Sequence, residues 1–101
     1  MTIKYIILDK QLSEENKLSV DYGALVIRER LGEEAVAPGS AAKKAGLKEF
    51  DIILEVNGEK ITEKNVLADI LQKYKIGDKI NLKLLRSKKE IELNVTLEEK
   101  K

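Results

Sequence analysis

Any chemistry in this chain must come from carboxylates, lysines and four serines, because its 101 residues include neither Cys nor His. Without His, the usual general base and the commonest transition-metal ligand are missing; without Cys, there is no thiolate site and no disulfide. A serine nucleophile would then need a lysine as its base. Ser40 with Lys43 or Lys44 has that composition, but Ser40 also stands where a helix after Pro38-Gly39 wants its N-cap. The pairs Glu14-Glu15 and Glu33-Glu34 read as solvated loop carboxylates, and Asp51 lacks the spaced oxygen donors of a calcium loop. Asn94-Val95-Thr96 fits the glycosylation pattern but falls inside an alternating, strand-like stretch. The expectation is therefore no catalytic residue, no metal and no cofactor.

Charge narrows the partners. Lys and Arg number 19 against 18 Asp and Glu, divided 8 and 8 over residues 1–50 and 11 and 10 over residues 51–101. Neither half has the basic excess of a nucleic-acid binder, and three Tyr and one Phe leave little to stack on bases. Apolar runs stop far short of the ~20 residues that span a bilayer, so no membrane insertion is expected. The apolar stretch after Lys4 is too short for a secretion signal, and none is expected. Length fits a single domain over residues 1–101, with 98–101 as a fraying tail.

Hydrophobic patterning then supplies the elements. Ile3–Leu8 reads as a strand apolar on both alternating sets, so both of its faces should be covered. A short helix after Ser13 follows, then a strand over Gly23–Arg28. Ser40 and Gly46 bracket a helix over Ser40–Ala45. Asp51–Val56 alternates, and Asn57-Gly58 is the strongest short hairpin signal. Val66, Leu67, Ile70, Leu71 and Tyr74 recur at helical spacing, which predicts a helix over Thr62–Tyr74 with Thr62 as cap. Lys79–Arg86 and Glu90–Glu98 alternate as a final hairpin turned by Ser87-Lys88. The sum is an α+β domain: a partly closed, mostly antiparallel sheet of five to six strands capped by two helices.

The run Pro38-Gly39-Ser40-Ala41-Ala42-Lys43-Lys44-Ala45-Gly46-Leu47, continued through Asp51-Ile52-Ile53-Leu54-Glu55-Val56-Asn57-Gly58, resembles the central signature of PDZ domains. Gly77-Asp78-Lys79-Ile80 matches the family's step after its second helix, and Tyr22-Gly23-Ala24-Leu25-Val26 is similar to a strand of its bacterial branch. The order of elements is that of the PDZ domains of HtrA/DegP-type serine proteases, over about residues 3–98. The resemblance implies a non-catalytic module that adds an extended peptide, usually a C-terminus, to a sheet edge beside a helix. It assigns the receiving strand to Ile3–Leu8 and the flanking helix to Thr62–Tyr74. The peptide-binding residues would be Thr2, Ile3, Lys4, Tyr5, Ile6, Ala68 and Leu71, with Ile3, Ile6, Ala68 and Leu71 around an apolar pocket. It also implies a parent protein of the cell envelope.

Departures from the family pattern carry their own expectations. Thr2 stands where the family's carboxylate loop has Gly, and only Thr2 and Met1 precede Ile3. Ala41 replaces a Pro, Phe50 replaces a Gly, and Ser87-Lys88 replaces an Asp-Gly type of turn. Leu31, Ala37, Ala41 and Phe50 could together form an apolar patch, and such patches mark contact surfaces. The alternative reading is thus an engineered PDZ scaffold whose function is a designed contact, with copies of itself or with another protein, through that patch.

Overall fold

A computed structural model describes residues 3–28 and 32–97. Nine elements follow in order: β1 (Tyr5–Ile7), α1 (Lys10–Glu15), β2 (Ala24–Val26), α2 (Ala41–Ala45), β3 (Ile52–Val56), β4 (Glu59–Lys60), α3 (Leu67–Leu71), β5 (Lys79–Arg86) and β6 (Lys89–Thr96). One antiparallel sheet runs β1-β2-β3-β5-β6, with β4 paired to β3. The expected α+β architecture is present, with α1, the short helix expected near Ser13, beside the two expected to cap the sheet.

The sheet is apolar on both faces around β2 and β3, whereas β5 and β6 alternate apolar with polar residues. On one face Ala24, Val26, Ile53, Ile80, Leu82 and Leu84 pack with Ala42 of α2 and with Leu67 and Ile70 of α3. On the other face Leu8, Ile52 and Leu54 pack with Leu12 of α1 and with Leu18, Val20 and Tyr22. α1 therefore covers Leu8 at the end of β1, but Ile6 on the same face is 40% exposed, so the second face of Ile3–Leu8 is covered only in part, short of what its doubly apolar pattern predicts.

The caps explain where helices start. Ser40 accepts from the Lys43 amide at 3.2 Å and donates to the Ala37 carbonyl at 2.7 Å, and Gly46 ends α2 at φ 99°. α1 begins earlier than Ser13: Asp9 is its cap, accepting from the Leu12 amide at 2.7 Å. Ser13 is instead buried inside the helix, its hydroxyl donating to the Val20 carbonyl. α3 is shorter than the helical spacing predicts. Thr62 does act as a local cap, but of a turn: its hydroxyl accepts from the Asn65 amide at 3.1 Å, and the two backbones bridge. That side-chain bond diverts residues 62–65 from the helix, which starts after Val66.

Gly23, just before β2, lies close against β3. A Cβ there would lie 2.8 Å from the Ile53 carbonyl oxygen, at a φ of +108°. Only glycine lets β2 reach that register, and the register fixes how β1 hangs on the sheet.

Candidate functional site

β1 is an end strand, and its hydrogen bonds show which way each peptide group points. The Ile27 amide donates to the Lys4 carbonyl at 3.0 Å, the Leu8 amide to the Gly23 carbonyl at 2.9 Å, and the Lys4 amide to the Ala35 carbonyl at 2.7 Å. In an antiparallel ladder both backbone groups of a residue point the same way and the direction alternates. Lys4, Ile6 and Leu8 therefore face the sheet, while Ile3, Tyr5 and Ile7 turn their amides and carbonyls to the outer edge. Among the described residues β1 pairs with β2 alone, apart from the bridge of Ile3 to Val36.

The same alternation sorts the side chains. Ile3, Tyr5 and Ile7 are half-buried against the main core, together with Leu71 and Tyr74 of the α3 region. The Tyr5 hydroxyl lies near the Ala68 backbone and the Asp69 carboxylate at the start of α3. Burial pushes that hydroxyl above its ordinary value of 10.0, the Ala68 backbone pulls it down, and the Asp69 charge pushes it up again. Ala68 itself is exposed on the helix, one position before Asp69.

Tyr5 lies near Ala68, and Ile3, Tyr5 and Leu71 pack on the same main core. Ile6 does not: it is 40% exposed and shares the opposite face of β1 with Leu8. The Lys4 side chain is also exposed, and its amide is taken by Ala35. Thr2 lies outside the described residues. Ile7 was overlooked, although an alternation counted from Ile3 points to it directly.

The expected apolar patch divides. Leu31 lies outside the described residues, Ala37 is half-buried, and Ala41 is 7% exposed within the main core. Phe50 is 65% exposed at a left-handed φ of 75°, and its amide donates to the Val26 carbonyl at 2.6 Å. The corner beneath it is clamped by Asp51, which accepts from Arg86 at 2.8 and 2.6 Å and from the Lys48 amide at 2.9 Å. The hydrogen bond to Asp51 holds the Arg86 guanidinium above its usual value, and Arg86 also donates to the Gly46 carbonyl at 2.9 Å. Asp51 is thus a structural anchor of the 46–51 corner. Arg86 has no counterpart in the sequence reading, since nothing local pairs positions 35 apart.

Among the described residues no group of three His, Cys, Asp or Glu converges as a metal site, and no helix is long and apolar enough to cross a membrane.

Comparison with known proteins bears on this edge. A family model described as PDZ domain matches residues 10–97. A probable periplasmic serine endoprotease, DegP-like, of Marinomonas is 40% identical over 91 residues, which is 90% of this chain and 18% of that protein. Among solved structures, the HtrA-type protease AlgW with a decapeptide superposes at a TM-score of 0.73 with 20% identity, covering 98% of this chain and 28% of that one. An aminopeptidase N family protein from Idiomarina loihiensis superposes at 0.73 with 22% identity, over 98% of this chain and 14% of its own. The chain spans about a fifth or less of the curated relatives it matches.

Proposed function

The chain belongs to the PDZ domain family, and from that membership we propose that it holds an extended peptide C-terminus as an added strand on the outer edge of β1, against α3. A PDZ domain is a protein-interaction module, and its work is binding rather than catalysis. One observation carries the reading: among the described residues the backbone groups of Ile3, Tyr5 and Ile7 are left open on an end strand while their side chains face the main core on the α3 side. Strand addition supplies the affinity through the backbone ladder, and the gap between Tyr5, Ala68 and Leu71 supplies the side-chain preference. The decapeptide held by AlgW supports a peptide as the ligand class.

Calorimetric titration with a peptide ending in an apolar residue tests it. Micromolar binding is expected, about 8 kcal/mol. Ala68→Trp should weaken it at least about tenfold by filling the gap from an exposed helix position, a cost of about 1.4 kcal/mol. An unchanged affinity in that variant removes the groove from the account. Amidating the peptide C-terminus reads how much the carboxylate contributes where Thr2 replaces glycine.

A second reading rests on Phe50. A 65% exposed Phe in a left-handed conformation is a costly surface residue. A protein contact through Phe50 and Ala37, with a second copy or another partner, would offset that cost.

A further inference from the structure

The helical wall of the groove is held from β4. α3 is only five residues long and its N-cap, Val66, makes no side-chain cap bond, so the helix depends on the rest of the fold for its place. Leu67 and Ile70 are fully buried and set its depth on the core. Its two flanks meet at Glu59. One oxygen of that carboxylate, Oε2, accepts from the Asn65 side-chain amide at 2.8 Å and from the Lys73 ammonium at 2.6 Å. Asn65 immediately precedes the N-cap, and Lys73 immediately follows the C-cap, Gln72. The Asn65 amide also reaches the Lys60 carbonyl at 3.3 Å, a second bond to β4. The Lys73 bond first, and then the Asn65 bond, hold the Glu59 carboxyl below its ordinary value of 4.5, against the opposing effect of burial. Among the described residues Glu59 bonds to neither Ala68 nor Leu71, so it would act on the groove only through where the helix stands.

We propose that Glu59 is a positioning residue of the peptide groove: by gripping both flanks of α3 from β4, it sets the helix at the separation from β1 that an added strand needs. This rests on the strand-addition reading above. One oxygen shared by two donors couples the flanks. Losing Lys73 frees the far end of the helix, and losing the carboxylate frees both ends. Leu67 and Ile70 hold α3 to the core in either case, so the domain stays folded while the Ala68 and Leu71 side of the groove loses its fixed width. A peptide must then order the helix as it binds, and that ordering subtracts from affinity. Folding should register the change only weakly, because the Lys73 side chain is 58% exposed and an exposed ion pair contributes little to stability. Affinity that moves while melting stays put is therefore the signature of positioning.

The test titrates a fluorescently labelled synthetic peptide ending in valine with the full chain, read by anisotropy, beside thermal melts of every variant. Glu59→Gln keeps the shape of the side chain and an oxygen for Asn65 but removes the charge that Lys73 meets. Glu59→Gln and Lys73→Met should each weaken binding about threefold with the melting temperature little changed. Glu59→Gln/Lys73→Met should bind about as the weaker single variant does, since both changes break one contact. The charge exchange Glu59→Lys/Lys73→Glu should recover most of the lost affinity, the Asn65 amide turning its oxygen to the new ammonium. High salt should shrink the gap between the wild type and Glu59→Gln. Single variants that bind as the wild type does, or a loss that the charge exchange fails to recover, overturn the positioning role and leave the groove intact, because the wild type still binds. If the wild type itself binds no peptide, the groove reading fails and the role of Glu59 falls with it.

Discussion

The β5–β6 turn offers the cleanest test of the backbone energetics. Arg86 pairs with Lys89, so Ser87 and Lys88 alone make the turn, and both are left-handed at φ 50° and 66°. Two successive left-handed residues define the type I′ turn, which favours Asn-Gly because an L side chain pays about 1–2 kcal/mol in that region. Lys88 is exposed and its side chain makes no hydrogen bond or ion pair among the described residues, so Lys88→Gly discards no such contact there. The extra freedom of glycine in the unfolded chain takes back about 0.5–1 kcal/mol. A net gain of about 0.5–1 kcal/mol remains, and at about 4–8 °C per kcal/mol for a domain of this size the melting temperature should rise by a few degrees. Lys88→Ala is the control: it removes the same charge but keeps the Cβ, so it should not rise. Thermal melts followed by circular dichroism at low and high salt separate strain from charge, since Arg86 and Lys89 flank the turn. If the Gly variant melts no higher than the Ala variant, the strain reasoning is wrong for this turn.

Two further outcomes follow from single side chains. Phe50→Ala should scarcely alter monomer melting, because the ring is mostly exposed, but should abolish any rise of mass with concentration seen by light scattering; a wild-type protein that stays monomeric removes a Phe50 contact between copies. Tyr5 should ionise above its ordinary value because burial disfavours the phenolate, so its contribution to stability is complete below pH 10.0 and is lost as pH rises through the folded value. Ultraviolet titration of the wild type against Tyr5→Phe isolates that group, and an ordinary value would mean that burial does not govern the Tyr5 hydroxyl.

Much of the fold was legible because independent local signals agreed. Ser40 and Gly46 each carry a preference that α2 uses, and the alternation of Ile80, Leu82 and Leu84 against Lys79, Asn81 and Lys83 admits one facing for β5. The helix ends were read less well where two residues compete for one role. Asp9 and Ser13 are both good caps, and the choice falls to Asp9 because Ser13 is needed to hold the Val20 carbonyl. Thr62 was read as capping a long helix, yet Asn65 offers it a nearer amide and bonds to Glu59 at 2.8 Å as well, which fixes the turn. Phe50 and Asp51 were opaque for a different reason: their roles depend on Val26 and Arg86, which only the folded sheet brings near.

The misplacement of Ile6 has a physical lesson for testing the groove. A strand apolar on both faces carries no hydrophobic signal for which set looks at the helix. Period two still excludes grouping Ile3 with Ile6, since positions three apart lie on opposite faces of any strand. In β1 one set of residues therefore does two jobs: Ile3, Tyr5 and Ile7 present the open backbone edge and also pack on the main core. A side-chain change at any of them alters the core and the edge together, so lost binding there cannot be assigned to either. Ala68 is free of that coupling, being exposed on α3 with its backbone, not its methyl, meeting Tyr5. The helix side is where a substitution can block a peptide while leaving the domain folded. Weakened binding in Ala68→Trp with an unchanged melting temperature is consequently the sharpest single result in favour of strand addition, and retained binding the sharpest against it.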